Sequence, residues 1–421
     1  MAGAKRKKRR GRATRTVGGG ALAVLLTAAA LPAAVATPAD GSRGPALGST
    51  EVVSVAADGS PANGRSYFPV VSADGEVVAF RSDATNLVPG DTNDKHDLFV
   101  RDLRHRTTQR IVPAPEYAIS DWALSADGRY LAYSQYRGRK NSQVIVRDLR
   151  TGRTERADVG LDAQDMNAET PVLSADGRTV AFLANDKESN VQVSAYVRDL
   201  RARRTERVSF PHAPGVTLPR LAQPSLSADG TKVAYELDSF DPTHDKDDFS
   251  DVYVHDRVTG RTTQADTTHD GRPANRPAFN ALLSTDGSTI AFDSQASNMV
   301  PGEDPEDTAD PFVRDLRTGK LTRIDEIPPG PDHILYARAL SGDGSKLLVQ
   351  TYAHRDVYAL YLRDVRSGVD VLVSPDKDGK PASAAQARMD ARAQKVVFVG
   401  DDSFVPDDAN HQRDVLVHTV R

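Results

Sequence analysis

The chain contains no cysteine. Disulfides, thiolate-ligated metals and a lipid-bearing cysteine behind an export signal are all excluded, so stability outside the cytoplasm would rest on core packing alone. Tryptophan occurs once. Long apolar runs are also scarce, and beyond the first 36 residues no segment is apolar enough to span a bilayer. Nor is there a basic surplus. Residues 1–36 hold eight of the 54 Lys and Arg and none of the 58 Asp and Glu, so the remainder carries a net charge of −12. That acidity argues against nucleic acid and against an anionic membrane surface as partners.

The amino terminus reads as an export signal. Lys5, Arg6, Lys7, Lys8, Arg9 and Arg10 precede an apolar run from Ala21 to Val35, and small residues close it at Ala34-Val35-Ala36. A basic head, a short apolar stretch and a small-residue cleavage site are the plan of a signal peptide. Residues 1–36 are therefore expected to be removed before Thr37, with 37–49 as a short linker. An uncleaved anchor is the alternative, although a spanning helix wants about 20 strongly apolar residues. No hydrophobic pair follows Arg9 and Arg10, which favours the general secretory route over the twin-arginine route. The expected location is secreted or cell-envelope associated, and the expected state is a monomer.

Internal repeats decide the fold class. Ser-Ala-Asp-Gly occurs at Ser72–Gly75, Ser125–Gly128, Ser174–Gly177 and Ser227–Gly230, with variants at Ser284–Gly287 and Ser341–Gly344 and a decayed seventh copy at Asp390. Successive starts lie 53, 49, 53, 57, 57 and 49 residues apart. Each copy is preceded by an apolar residue, from Val71 to Met389, and the Asp-Gly pair predicts a tight turn whose Gly takes a positive φ. A second strand follows with an apolar-Ala-aromatic core, as in Val78-Ala79-Phe80, Val180-Ala181-Phe182 and Ile290-Ala291-Phe292. A third strand ends in Arg-Asp, as at Arg101-Asp102, Arg147-Asp148 and Arg314-Asp315, and a Thr-Gly turn leads to a polar outer strand.

Four short antiparallel strands per repeat, with no amphipathic helix between them, predict radial sheets: an all-β, seven-bladed β-propeller over residues 50–421. The last repeat supplies three strands only. Residues 51–55, Glu-Val-Val-Ser-Val, precede an Asp-Gly-Ser-Pro-Ala-Asn linker like those at 270–275 and 378–383, and so are expected to be the outer strand of the last blade, closing the ring. The Ser-x-Asp-Gly turn, the apolar-Ala-aromatic strand and the Val-Arg-Asp strand resemble the repeats of TolB-like propellers. These are in turn similar to the propeller half of prolyl oligopeptidase-type enzymes. The resemblance implies the fold and leaves function open. Only a dozen or so residues separate the expected cleavage site from the first strand, with no room for the small α/β domain of TolB itself.

Chemistry is sparse. No Gly-x-Ser-x-Gly elbow occurs, and no His-Glu-x-x-His or similar spacing links the histidines, among them His96, His105, His212, His244, His333, His354 and His411. A metal site assembled from single histidines on separate blades would leave no spacing to read. The recurrent Arg-Asp pairs are expected to be structural, because a group present in nearly every blade belongs to the blade. Acidic loops at 86–97, 298–310 and 404–414 occur in only some blades. Asp91, Asn93 and Asp97 alternate oxygen donors as a hard cation prefers, which makes calcium the candidate ion; the alternative is a solvated loop using Asp and Asn as turn formers.

The channel mouth is the expected ligand site. Four and five residues before each turn, the innermost strands begin with varied side chains, and Asp121, Trp122, Glu169, Gln223, Asn280 and Arg338 stand at or beside these registers. Aromatic and hydrogen-bonding groups together suit a protein, peptide or glycan ligand bound by an exported binding or scaffold protein. A channel-site enzyme, such as a polysaccharide lyase or glycan hydrolase, is the alternative.

Overall fold

The computed structural model describes residues 48–421 apart from 94, 139–140, 161–165, 187–192, 211–219, 222–223, 239–248, 303–307, 326, 328–333, 353–356 and 407–409. Every regular element among them is a strand, and the strands form seven antiparallel sheets. The innermost strands are Ser66–Val71, Ala118–Leu124, Met166–Leu173, the broken pair Arg220–Leu221 and Ser225–Leu226, Ala278–Leu283, Ile334–Leu340 and Ala385–Met389. Three further strands complete each blade.

The core lies between the blades, one apolar cluster at each of the seven junctions. Alternation along the second strand builds both sides of a junction. In blade one, Val78 and Phe80 pack toward blade seven, while Ala79 faces blade two. Ala132, Ala181, Ala234 and Ala291 face the following blade in the same way. A methyl there lets the next sheet approach while the aromatic fills the opposite gap. Blades six and seven place Leu348 and Val397 at this position instead.

The Ser-x-Asp-Gly turn is held by its own side chains. Ser125 Oγ donates to Asp127 Oδ1 at 2.8 Å and accepts the N–H of Tyr130 at 2.9 Å, while Asp127 accepts the N–H of Arg129 at 3.0 Å. In the decayed seventh copy, Asp390 alone does both jobs, accepting N–H bonds from Gln394 at 2.7 Å and Lys395 at 2.9 Å. Glycine ends the turn for two reasons. Gly177 has φ of 67°, and a Cβ on it would lie 2.4 Å from the Tyr130 ring of the preceding blade.

The second residues of the seven turns, with the third residue donating in blades one and five, are linked backbone to backbone around the channel floor. Asp74 N–H donates to Ala126 O, Ala126 to Ala175, Ala175 to Ala228, Ala228 to Thr285, Asp286 to Gly342, Gly342 to Ala391, and Ala391 to Ala73, at 2.7–3.1 Å. Hydrogen-bonded strands sit ~4.8 Å apart, so a collar of seven links is roughly 11 Å across between backbones. Side chains there are crowded: a Cβ added at Gly342 would lie 3.1 Å from that of Ala391 and 3.4 Å from that of Thr285. This is why the position holds Ala, Gly or Thr.

The Arg-Asp pairs are structural, as expected. Asp256 accepts turn N–H bonds from Val258 at 3.0 Å and Thr259 at 2.9 Å, and Asp148, Asp315 and Asp364 do likewise. The arginines reach back to the exit of the preceding blade: Arg101 to Val55 O, Arg198 to Val159 O, Arg314 to Thr267 O and Arg363 to Asp325 O.

Closure is made by the amino-terminal strand, which runs Ser49–Val52, two residues ahead of the expected start. It pairs with Asp414–Thr419 as the outer strand of blade seven, and Val53 N–H continues the ladder to Val415 O at 2.7 Å. Behind it, Ser54 Oγ donates to Asp414 Oδ1 at 2.5 Å and accepts the Val415 N–H at 3.0 Å. Deleting residues 49–55 should lower the melting temperature by about 5 °C, the loss of ~4 kcal/mol in a domain of this size; an unchanged transition in calorimetry would disprove the closure.

His418 stands where other blades carry the third-strand arginine, with Nδ1 at 2.9 Å from Thr50 Oγ1. It is 1% exposed, and burial pushes its pKa down from 6.5 to about 4. The unfolded chain therefore takes up this proton first. Stability is complete above pH 6.5 and falls by about 3 kcal/mol as pH drops toward 4. Denaturation of His418→Gln across that window should lack this component.

Candidate functional site

The registers that vary at the channel mouth coincide with a bulge. In six blades the pairing of the innermost strand shifts there, as between Tyr67 and Val70 or Phe279 and Leu282. Phe68, Thr170, Asn280 and Gln386, each four residues before the turn's first position, take φ values of 51–63°. A bulge frees backbone groups from the ladder, and partners must come from elsewhere. Gln386 Oε1 accepts the Phe68 N–H at 2.7 Å, Glu236 Oε2 that of Asn280 at 3.0 Å, and Asp293 Oδ1 that of Ala337 at 3.0 Å. Arg81 Nη2 donates to Ile119 O at 2.6 Å. Arg81, Glu236 and Asp293 each directly follow the second-strand aromatic, a recurring variable position that reading the inner strands alone misses.

The expected site residues divide into two groups. On blades two and three, Asp121 is half-buried and Glu169 exposed; crowding by protein and then the Asp121 charge raise the Glu169 pKa. Trp122 is buried in the wall, with the Arg81 guanidinium 5.2 Å from its ring centre and its indole N–H unpartnered. Asn280 is committed to structure, its Nδ2 donating to Asp293 at 2.8 Å and to Ala337 O at 2.7 Å. On blade six, Arg338 donates from Nε to Gln350 at 2.7 Å and lies 5.2 Å from the Tyr336 ring centre. Gln223 lies outside the described residues.

A cleft of about 600 Å³ between blades six and seven was not expected. Tyr336, Arg338, Tyr352, Tyr358, Arg388 and Arg413 line it, and Arg338 and Arg388 also line the central channel of about 420 Å³. The Tyr352 and Tyr358 rings are 4.9 Å apart. Tyr352 shares its register with Tyr136 of blade two, and Tyr358 lies outside the strands, so reading the inner strands marks neither. Arg388 had a sequence signal: it is the charged exception at an otherwise uncharged register.

The acidic loops begin as packing devices. Asn86 accepts the Asn63 N–H at 3.0 Å and donates to Pro61 O at 2.9 Å, which ties the loop to the Pro-Ala-Asn linker. Asn298 repeats this with Asn275 and Pro273. Of the candidate calcium ligands, Asp91 is paired with Arg110 Nη1 at 2.5 Å, and Asp97 lies 3.7 Å from Arg110 Nε. Asn93 Oδ1 accepts the Lys95 N–H at 3.0 Å. A guanidinium thus stands against both carboxylates. Arg323 and Asp310 approach to 3.8 Å at the matching place in blade five. Among the described residues no three His, Asp or Glu side chains converge as a metal site. His105 pairs with Asp102 and His411 with Asp402, while His212, His244, His333 and His354 lie outside the described residues.

Asp293 is 1% exposed, and burial raises its pKa from 3.8 to about 7 against the opposing bonds from Ala337 and Asn280. The unfolded chain loses this proton first, so the contribution is complete below pH 3.8 and is lost, by about 4 kcal/mol, as pH rises through 7. Asp293→Asn should remove that loss in denaturation measured from pH 4 to 8. Asp293→Ala should lie ~2 kcal/mol below Asp293→Asn at every pH by orphaning the Ala337 N–H.

No family model matches the sequence, and no curated protein matches it. Solved structures do. An oligogalacturonate lyase in complex with manganese is 13% identical with a TM-score of 0.59, over 89% of this chain and 94% of that one. The oligogalacturonate lyase of Vibrio parahaemolyticus is 12% identical with a TM-score of 0.59, over 88% and 93%. The β-propeller domain of the Trilobed protease from Pyrococcus furiosus is 15% identical with a TM-score of 0.55, over 84% and 95%. Likeness at such identity is likeness of fold. Together with the seven closed blades, it makes this chain a seven-bladed β-propeller.

Proposed function

We propose that this chain is an exported binding protein that engages a peptide or glycan at the channel mouth, in the cleft between blades six and seven. The observation that carries the reading is the cleft's composition. Three tyrosines and three arginines share one concavity in a chain whose remainder after residue 36 is acidic. Aromatic faces and guanidinium donors are the groups that concentrate at recognition surfaces. Export rests on the basic head and apolar run of residues 1–36.

Binding is favoured over catalysis by the state of Asp293, the carboxyl that burial pushes up to about 7. Asp293 is fully buried and committed to Asn280 and Ala337, so it has no free face toward a substrate. The opposite wall, with Asp121 and Glu169, offers acceptors that would orient a ligand rather than hold it.

Calorimetric titration with a panel of peptides and cell-wall oligosaccharides tests this. A hit should weaken at least tenfold in Tyr336→Ala and Tyr352→Ala, and less in the double variant Asp121→Ala, Glu169→Ala. Unchanged affinity in both tyrosine variants would place the site elsewhere.

A further inference from the structure

Two residues before the first position of each turn, the channel wall carries Val70, Ala123, Val172, Ser225, Leu282 and Ala339 in six blades, and Arg388 in the seventh. Arg388 Nη1 donates to the neighbouring Ala387 O at 2.9 Å, and no carboxylate forms an ion pair with it among the described residues. Arg338, one register higher on blade six, lines the same space, and its Nε bond goes to neutral Gln350. Arg388 is exposed to the channel and Arg338 is half-buried, so two guanidinium groups face one solvent-filled space and neither forms an ion pair among the described residues. Trp122 also lines the channel, with its indole N–H buried in the wall without a partner. The surplus is of donors, so the missing partner is an anion.

The walls say more about its shape. Guanidinium forks match planar oxyanions bidentately. Around and below Arg388 the wall is apolar but for Ser225, and the collar of Ala73, Ala126, Ala175, Ala228, Thr285 and Gly342 with Ala391 narrows the floor. A chain entering from the cleft meets this collar and must end there. Its end carries negative charge beside an apolar group. A sugar acid carries several hydroxyls that an apolar ring would leave without partners, and so suits it less well.

We propose that the channel receives the carboxyl terminus of a peptide with an apolar last residue, its carboxylate bridging Arg338 and Arg388 and its side chain seated in the apolar ring above the collar. This names the ligand class of the binding reading above and rests on it.

Trp122, the sole tryptophan, reports on channel occupancy by its fluorescence. N-acetyl-Ala-Ala-Leu as the free acid should change the emission of the purified protein saturably, and the same peptide as its carboxamide should bind at least tenfold more weakly. Arg388→Gln and Arg338→Gln should each weaken the acid tenfold or more and leave the amide unchanged. Without peptide, Arg388→Gln should keep or raise the melting temperature, because it removes an uncompensated charge; a fall would show an arginine that serves the fold and would overturn the proposal. Equal binding of acid and amide would also overturn it while leaving binding at the mouth intact. Arg388-dependent binding of oligogalacturonides without any binding of peptides would replace the peptide terminus by a sugar acid. No response to any peptide or glycan, by fluorescence or by calorimetry, would sink both the proposal and the binding reading.

Discussion

Seven backbone hydrogen bonds around the channel floor are the constraint on which the rest of this propeller depends. Each runs from one turn to the next, so the turns must stand at one height and one spacing. Small residues at the second turn position, a serine and an aspartate to hold the turn closed, and a glycine where the preceding blade presses closest all follow from that spacing. The same spacing propagates outward. Blades that nearly touch at the floor need a methyl on one face of the second strand and an aromatic on the other, and the third-strand arginines then lock each blade to the exit of the one before.

Rigidity at the floor leaves the mouth free to vary. Above the turns, the inner strands bulge, and the freed N–H groups are met by whatever polar side chain the neighbouring second strand offers: glutamate in blade four, aspartate in blade five. Bulges re-aim side chains, so positions that look equivalent in the repeat end up with different tasks. Asn280 becomes a strut, Trp122 a wall and Arg338 a cleft residue. The result is a channel with carboxylates on blades two and three and arginines on blades six and seven. An anionic group is drawn to one side, and any cationic group it carries is drawn to the other.

Repeat number, strand order, turn chemistry and ring closure were legible in the sequence because they are periodic, and periodicity survives without coordinates. Residues 51–55 could be assigned to the last blade by matching linkers, with an error of two residues at the strand start, where no turn marks the boundary. The Arg-Asp pairs were legible as structural for the same reason. The candidate site was legible only in part. Trp122 and Arg338, singled out by register, both line the channel. Asp121 and Glu169, singled out in the same way, stand on blades two and three, because blade position around a ring is not readable as proximity.

What the sequence by itself determined is thus the blade: its strands, its turns, its small and large faces, and the number of copies. What only the tertiary structure decided is which departures from the repeat meet. Arg388 on blade seven, Arg338 on blade six and Tyr352 on the strand paired with that of Arg338 belong to one cavity because radial packing brings the mouths of adjacent blades together. Arg110 reaches Asp91 and Asp97 because the outer strand folds back beside the loop, which turns a row of oxygen donors into an ion pair. Local hydrogen bonds write the repeat into the chain, whereas contacts between blades depend on side chains some 50 residues apart, and one strand's pattern carries no record of its neighbour's.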